Sequence, residues 1–127
     1  MSNILNSLRY TKTHEWLYQT NNIVTIGISD HAQHELGDIV FVDLPSINHK
    51  VTKGEPCLVV ESVKVAADIY SPVDGKVIEV NKDLINNPEL INKDPYGQAW
   101  LIRIEVTEDV IVTDFLDSFQ YKKLIGE

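Results

Sequence analysis

The sequence of 127 residues contains a single cysteine, so no disulfide can form within the chain. Cys57 lies in the apolar run CLVV, which predicts a small buried hydrophobic side chain. A chain that keeps its cysteine as a thiol fits a reducing compartment.

Basic residues are also few, because 11 Lys and Arg stand against 19 Asp and Glu and give a formal net charge of -8. A surface of this average sign repels a phosphate backbone, so nucleic acid is not an expected partner. The start MSNILNSLRY lacks the apolar stretch of a signal peptide, and no run approaches the ~20 apolar residues of a membrane span. We therefore expect no membrane contact and a cytoplasmic location, or the mitochondrial matrix for a mature eukaryotic form.

The common enzyme motifs are missing as well: there is no G-x-S-x-G, no phosphate-binding glycine loop, no H-E-x-x-H and no cysteine pair. Their absence favours a protein that is not an enzyme. His31 and His34 stand three residues apart beside Glu35, but the sequence places no clear third ligand for a metal. We expect a solvated polar helix face there and no metal site.

Short runs of aromatic and β-branched residues, broken by Gly, Pro, Asn and Asp, dominate what is present, and they predict strands. The length suits one domain, residues 1–127. The predicted strands cover 15–19, 23–28, 39–45, 51–56, 57–62, 65–72, 75–80 and 99–106. Their close spacing indicates an all-β sandwich or barrel rather than alternating β-α-β units.

Helical patterns are short. SDHAQHELGD (29–38) predicts two turns of helix capped by Asp30 and closed by Gly37. The polar stretch 82–97 holds two prolines and predicts a long loop with a helical turn. The tail from about Asp114 predicts a C-terminal amphipathic helix. Its apolar positions at roughly helical spacing are Phe115, Leu116, Phe119 and Leu124.

Lys64 stands out in the segment ESVKVAAD (61–68). Gly54 lies ten residues before it and Gly75 eleven after it, so the flanks look like mirror partners around a hairpin with Ser62-Val63-Lys64 at its tip. Most turn lysines are only solvated charges. Here, small and apolar neighbours leave the amine approachable on a rigid support, as a modification site requires.

Several segments together resemble the glycine cleavage system H protein family. ESVK with the small residues after it and DIYSPVDGKVIEVN is similar to the lipoyl-attachment region of that family. YTKTHEWL, IVTIGISDHAQHELGDIVFVDLP, VTKGEPCLVVESVK and PELINKDPYGQAWLIRIEV resemble its other blocks in the same order. The resemblance extends over nearly the whole chain, from about Leu8 to Tyr121.

The resemblance implies a mainly β, barrel-sandwich hybrid fold like that of lipoyl domains, with short peripheral helices. It also implies a single lipoyl-carrier domain, a monomer, with lipoate in amide linkage to Lys64. In the family, the arm takes the aminomethyl group of glycine from the P protein (glycine decarboxylase) to the T protein (aminomethyltransferase). The L protein (dihydrolipoyl dehydrogenase) then reoxidises it, and lipoylating enzymes are further expected partners.

The family pattern also implies roles for other residues. Glu61 is expected to help a lipoylating enzyme recognise the turn. A groove near the THEW block is expected to shelter the loaded arm, with Thr13, Glu15 and Asp68 as polar contacts. From its position alone, however, the Glu15 carboxylate is that of a solvated strand edge.

The attachment turn departs slightly from the commoner KAASD type, because Val65 and Ala67 give KVAAD. The bulkier Val65 is expected to slow lipoyl transfer. It removes no attachment chemistry.

Alternatives remain at this point. A biotin carrier shares the hairpin architecture, but its lysine is usually bracketed by methionines, whereas Val63 and Val65 bracket Lys64. A lipoyl domain of a 2-oxoacid dehydrogenase usually sits in a larger chain. A relay protein that passes lipoyl groups to other lipoyl domains, and an unmodified binding module, are the remaining possibilities.

Overall fold

The computed structural model describes residues 2–127, and within them nine strands form two sheets with short helices at the periphery. The elements in chain order are β1 (Arg9–Tyr10), β2 (Glu15–Thr20), β3 (Ile23–Ile28), α1 (Asp30–Leu36), β4 (Ile39–Asp43), β5 (Lys50–Val51), β6 (Pro56–Ser62), β7 (Ala66–Tyr70), β8 (Gly75–Val80), α2 (Asp83–Asn86), α3 (Leu90–Lys93), β9 (Ile102–Glu105) and α4 (Ser118–Leu124). A short 3-10 turn, Val112–Asp114, precedes α4. The predicted mainly β class with short helices and a C-terminal helix is confirmed.

The larger sheet has six strands in the order β1-β2-β3-β9-β8-β5, and all the neighbouring pairs are antiparallel. β2 and β3 form the predicted hairpin, in which Asn21 adopts a φ of 55°. Asparagine tolerates this conformation better than most residues, which explains the tight turn. Gly27 lies opposite Trp16, and a Cβ at this glycine would lie only 2.5 Å from the indole ring.

The smaller sheet has the order β4-β6-β7 and carries the lysine hairpin. β6 and β7 pair from Glu61↔Ala66 back toward Pro56↔Tyr70, and beyond them β5 pairs with β8 at Val51↔Gly75. The flanks therefore pair around the tip, but Gly54 and Gly75 are not equivalent, since Gly54 lies in a turn whereas Gly75 pairs with Val51. Gly54 has a φ of 82°, and its N–H donates to the carbonyl of Ser71 at 2.8 Å.

The main core contains apolar side chains from both sheets, which are almost entirely removed from solvent. Examples are Leu17, Val24, Ile26, Val60, Ile69, Val77, Leu101 and Ile104. Burying each such side chain stabilises the fold by about 1.5–3 kcal/mol. Cys57 is buried as predicted, and burial raises the pKa of its thiol to about 12, so it stays protonated at neutral pH.

Some predicted strand limits are wrong. In 51–56 only Val51 belongs to β5, and Pro56 already starts β6, because a turn centred on Gly54 separates them. The predicted strand 99–106 is shorter in the structure, where only Ile102–Glu105 form β9. Just before it, Nδ2 of Asn81 donates to the carbonyls of Gln98 and Trp100, each at 2.7 Å, so these carbonyls do not pair with a neighbouring strand. The predicted loop 82–97 contains two helical turns, α2 and α3.

The cap of α1 is also corrected. Ser29, not Asp30, is the N-cap, because its hydroxyl accepts the N–H of Ala32 at 3.1 Å. Asp30 instead occupies the first turn, where a carboxylate favourably meets the positive end of the helix dipole. Gly37 ends the helix with a φ of 81°, which agrees with its predicted closing role.

The C-terminal helix starts later than predicted. Leu116 exchanges two backbone hydrogen bonds of 2.9 Å with Tyr10, which keeps the chain extended until Asp117 caps α4. Phe115 and Leu116 therefore lie outside the helix. Phe119 (63% exposed) and Leu124 (48% exposed) point outward. The helix is anchored instead by a completely buried residue, Tyr121.

Tyr121 belongs to a second, smaller core. It stacks on Tyr10 with ring centroids 4.5 Å apart, and the cluster also includes Ile4, Leu8 and Trp16. This core attaches the C-terminal helix to the edge of the larger sheet. Among the helices of residues 2–127, none is long and apolar enough to cross a membrane.

Candidate functional site

Lys64 lies at the apex of the β6–β7 hairpin, in a three-residue tip formed by Val63, Lys64 and Val65. The Ser62 hydroxyl accepts the backbone N–H groups of Lys64 (3.1 Å) and Val65 (3.2 Å). The Ser62 N–H in turn donates to the Val65 carbonyl at 2.8 Å. A serine at the start of such a turn replaces water as partner of the backbone, so the tip has a defined conformation.

The three side chains of the tip all face solvent. Val63 is 68% exposed and Val65 is 48% exposed, although both are apolar. Lys64 is exposed as well, and its amine makes one hydrogen bond, to the backbone carbonyl of Glu35 at 2.9 Å. The exposed tip is compatible with the modification site that the sequence predicts, which stays a prediction.

The hairpin tip is also attached to its surroundings. The N–H of Val63 donates to the carbonyl of Asp38 at 3.0 Å, between α1 and β4. Glu61 is half-buried on β6 and lies between Phe41 of β4 and Ala66 of β7. The predicted recognition residue Glu61 thus belongs to the same three-stranded surface as the lysine.

Thr13 and Glu15 come together in a groove of about 390 Å³ near the start of β2. Glu15 is completely buried, so the expectation of a solvated carboxylate is wrong. Its Oε1 accepts the hydroxyls of Thr11 and Thr13, each at 2.5 Å, and its Oε2 accepts the N–H of Tyr70 at 3.3 Å. Three donors compensate for the loss of water around a buried carboxylate.

The opposite part of the groove is more apolar and includes Tyr10, Phe115 and Leu116. The chain from Val112 to Leu116 passes over the sheet here, and the paired backbones of Tyr10 and Leu116 fix its position. Lys53 also lines the groove, with its amine 5.6 Å from the centre of the Phe115 ring. Such a cleft combines apolar walls with one buried anionic group, which is suited to a small cationic ligand head.

Asp68 does not line this groove. It is exposed on β7, midway between Ala66 at the tip end and Tyr70 at the groove. Alternate residues of a strand share a face, so Asp68 lies on the side of β7 that connects the two sites. Tyr70 is six positions after Lys64, which corresponds to about 20 Å along an extended chain.

His14, next to Glu15, has a φ of 77° and connects the groove to α4. Its Nδ1 lies 2.8 Å from the hydroxyl of Tyr121, which is also 2.6 Å from the hydroxyl of Ser29. Burial lowers the pKa of His14, and the neighbouring His31 imidazole, 5.0 Å away between ring centroids, lowers it further. Neutral imidazole is thus the favoured form beside the groove.

His31 and His34 do not face a common point. His31 approaches Glu35, with Nε2 and Oε1 3.8 Å apart, whereas His34 approaches Asp30 at 3.4 Å. Within residues 2–127, no three or more His, Cys, Asp or Glu side chains are grouped so that they could hold a metal ion.

Sequence reasoning missed three contributors to this region. Thr11 and Tyr70 bind the Glu15 carboxylate, and Glu35 accepts the lysine amine through its backbone. The T-x-T-x-E spacing of residues 11–15 is the only local signal, since a turn brings its hydroxyls to the carboxylate. Backbone acceptors and the contribution of β7 have no sequence signature.

Comparison with known proteins gives a consistent result. The family model described as Glycine cleavage H-protein matches residues 8–127. A glycine cleavage system H protein of Thermotoga maritima is 47% identical over 119 residues, which cover 94% of this chain and 96% of that protein. A probable glycine cleavage system H protein of Picrophilus torridus is 50% identical over 127 residues and 100% of both chains.

A solved structure agrees with the sequence matches. The crystal structure of a glycine cleavage system H protein from Mycobacterium marinum superimposes with a TM-score of 0.89 at 35% sequence identity. The match covers 98% of this chain and 100% of that one.

Proposed function

The chain belongs to the glycine cleavage H-protein family, and from this membership we propose that it is the lipoyl carrier of the glycine cleavage system, with lipoate in amide linkage to Lys64. Members of this family are carriers and not catalysts. The observation that carries the assignment of Lys64 is its exposed amine at the apex of a hairpin whose backbone Ser62 fixes.

The tip supports attachment in two ways. Its backbone geometry is set by hydrogen bonds within residues 62–65, so a lipoylating enzyme meets one conformation. The exposed Val63 and Val65 flank the amine without covering it. Glu61, three residues before the lysine, offers that enzyme a charge on the same surface.

Lipoate bound there supplies a dithiolane that carries the aminomethyl group of glycine and then reducing equivalents. We propose the P protein, the T protein and the L protein as successive partners, and lipoylating enzymes as earlier ones. One tethered arm replaces free diffusion among them with a high local concentration at each docked enzyme. A monomer in the cytoplasm, or in the mitochondrial matrix for a mature eukaryotic form, stays a prediction, as does the single lipoyl-carrier domain 1–127.

The groove supports the carrier role. Glu15 and Thr13 present a carboxylate and a hydroxyl, and a protonated amine at the end of an arm binds such a pair by a charge-assisted hydrogen bond. The apolar wall at Phe115 and Leu116 limits the access of water. Asp68 is proposed as a polar contact on the way from the tip rather than within the groove.

Intact mass and peptide mapping of protein from its native host test the attachment. We expect a lipoyl adduct on the Lys64 peptide and none in Lys64→Arg, which keeps the charge but cannot form the amide. A biotin adduct, or an unmodified Lys64 under lipoate-replete conditions, would overturn the proposal. Glu61→Ala is expected to slow modification; an unchanged rate would remove Glu61 from enzyme recognition.

Reconstitution tests the role of the modified protein. Lipoylated protein should support glycine-dependent reduction of NAD with the P, T and L proteins, and Lys64→Arg should not. A lipoylated protein that fails this assay, yet donates lipoyl groups to other lipoyl domains, would instead be a relay protein.

A further inference from the structure

The side chain of Lys64 does not extend freely into solvent but lies on the carboxyl end of α1. Its Nζ donates to the backbone carbonyl of Glu35 at 2.9 Å. The last four carbonyls of a helix accept no hydrogen bond from within the helix, and they lie at the negative end of its dipole. The helix end therefore provides an acceptor that a lysine N–H group satisfies.

Gly37 leaves the space in which the lysine stem lies. A Cβ built on this glycine would be 3.4 Å from Cε of Lys64 and 3.9 Å from its Nζ. The φ of 81° with a ψ of -157° is a conformation that residues with a side chain rarely adopt. A side chain at position 37 would thus strain the backbone beneath the stem, while its Cβ would lie in ordinary van der Waals contact with Cε of Lys64.

Asn92 of α3 fixes this part of the backbone. Its Nδ2 donates to the carbonyl of Gly37 at 2.9 Å and to Oε1 of Gln33 at 3.0 Å. Its Oδ1 accepts the N–H of Ile39 at 2.9 Å. One side chain thus links the last turn of α1 to the start of β4, so the surface under Lys64 is held in place.

The hairpin tip is fixed to the same segment. The N–H of Val63 donates to the carbonyl of Asp38 at 3.0 Å, one residue beyond Gly37. The backbone of the tip and the amine at the end of its lysine are therefore both bound to residues 35–38. The stem between them passes over Gly37.

Acylation removes the positive charge of Nζ, but a secondary amide keeps one N–H group. We propose that residues 35–37 form a seat for the stem of the modified lysine, in which the amide N–H of acylated Lys64 donates to the Glu35 carbonyl oxygen. This inference rests on the proposed attachment of lipoate to Lys64. It adds that the arm starts from a fixed point at the end of α1 rather than from a freely rotating lysine.

The seat reduces the freedom that the arm loses when it enters a groove or a partner. A stem that is already ordered has fewer rotatable bonds to immobilise on binding, and pre-organisation of this kind strengthens association. Side-chain contacts also link the seat to the groove. The Glu35 carboxylate lies near the His31 imidazole, which in turn lies near His14. His14 directly precedes Glu15, which lines the groove.

Nuclear magnetic resonance of the full chain, carrying ¹⁵N at lysine Nζ, tests the seat. After mass spectrometry has established the adduct, the amide at Nζ of Lys64 gives its own ¹H–¹⁵N signal. We expect it to exchange with solvent about tenfold more slowly than the same amide in a lipoylated peptide of residues 59–69. We also expect a nuclear Overhauser effect between the ε protons of Lys64 and the α protons of Gly37.

Gly37→Ala should bring the exchange rate close to that of the peptide, because the strain of a Cβ at a φ of 81° shifts the neighbouring backbone that carries the Glu35 carbonyl. Gly54→Ala is the matched control, because Gly54 has nearly the same φ, 82°, yet no atom lies within 4 Å of its added Cβ. The control should keep the slow exchange. The decisive comparison uses the unsubstituted protein, so it does not depend on how well Gly37→Ala folds.

Peptide-like exchange in the unsubstituted lipoylated protein would overturn the seat while leaving the proposed function intact. Equal, slow exchange in folded Gly37→Ala and Gly54→Ala would also overturn the role of Gly37. If no lipoyl adduct forms, the proposed function fails. The seat is then judged by the same measurements on protein with acetyl-lysine at position 64.

Discussion

At the scale of single residues, Glu15 places a carboxylate in the interior of the protein, beside the groove. The Glu15 carboxylate, at the start of β2, is completely buried and accepts hydrogen bonds from two hydroxyls and a backbone N–H. Buried charges persist when they are paired or fully hydrogen-bonded. Within residues 2–127 no cation forms an ion pair with Glu15, and the proposed aminomethyl-bearing arm would bring one.

Glu15→Gln is therefore expected to shorten the time for which the protein retains an aminomethyl group. Glutamine keeps the shape and its carbonyl oxygen can still accept from Thr11 and Thr13, but it loses the charge and turns an NH₂ group toward the Tyr70 N–H. A hydrogen bond to a charged group contributes about 1.5–3 kcal/mol, which corresponds to a roughly tenfold or larger effect. Release of formaldehyde from protein carrying the labelled group measures this lifetime.

The control for Glu15→Gln is Glu89→Gln, an exposed acidic residue beside α3. It should leave the lifetime unchanged. If Glu15→Gln behaves like this control, Glu15 has no part in sheltering the arm.

His14 makes stability dependent on pH. Its folded-state pKa is lowered, first by burial and then by His31, so the unfolded chain takes up a proton more readily near the ordinary value of 6.5. The contribution to stability is complete above that value and is lost as the pH falls through the lowered folded value. We expect the urea midpoint to fall between about pH 7.5 and pH 5.5.

His14→Asn should flatten this pH dependence. Asparagine tolerates the positive φ of position 14 and does not titrate in the range. His49→Asn removes an exposed histidine and should leave the slope as it is. An equally steep slope in His14→Asn would show that other groups cause the loss of stability.

At the scale of elements, the β6–β7 hairpin combines a regular ladder with a tip that depends on one serine. Ser62 is nearly buried, and its hydroxyl satisfies two N–H groups of the tip. The ladder determines where the lysine is, whereas the serine determines the conformation in which an enzyme meets it.

Ser62→Ala is expected to lower the free energy of unfolding by about 1–2 kcal/mol, because a neutral hydrogen bond contributes about 1 kcal/mol. It should also slow lipoylation by a purified lipoylating enzyme, measured as the appearance of the adduct by mass spectrometry. Ser62→Thr restores the hydroxyl and should restore the rate, and Ser46→Ala, at an exposed serine, should have neither effect. Unchanged lipoylation in Ser62→Ala would mean that the enzyme reshapes the tip itself.

The C-terminal helix shows that apolar spacing can predict a helix correctly and still predict the wrong buried face. The spacing of Phe119 and Leu124 predicts a C-terminal helix, and α4 exists, but both side chains are about half or more exposed. Tyr121 is buried in their place because its ring stacks on Tyr10 and its hydroxyl reaches polar partners. Hydrophobic periodicity cannot detect a buried tyrosine whose hydroxyl is satisfied.

At the scale of the whole molecule, one hydroxyl joins three distant parts of the chain. The Tyr121 hydroxyl of α4 contacts His14 beside the groove and Ser29 at the start of α1. The C-terminal helix therefore supports both the groove and the helix whose other end receives Lys64.

Tyr121→Phe should lower the free energy of unfolding by about 1–3 kcal/mol, because it leaves the buried Ser29 hydroxyl and the His14 imidazole without this partner. The midpoint of urea unfolding should fall while the denaturant slope stays the same, since the fold buries the same surface. Tyr18→Phe, at a tyrosine that is 40% exposed, serves as the control. Equal midpoints for the two variants would contradict a structural role for the Tyr121 hydroxyl.

Patterns in the sequence predict the class of the fold, most of the strands and the hairpin with Lys64. These features depend on alternating apolar residues, turn residues and the symmetrical spacing of Gly54 and Gly75, all of which are local or nearly local. The same information permitted the family resemblance. The prediction of Asp30 as the cap of α1 is wrong, because Ser29 and Asp30 are both good cap residues and only the folded backbone places Ser29 at the cap.

The surroundings of the functional groups depend on long-range contacts in the folded chain. Glu15 is buried because β7 brings Tyr70 to it, and the Lys64 amine meets α1 because β4 and β6 are paired. The fold also places Asp68 outside the lining of the groove. Such contacts join residues far apart in the chain, often through backbone atoms that every residue possesses, so no sequence pattern records them.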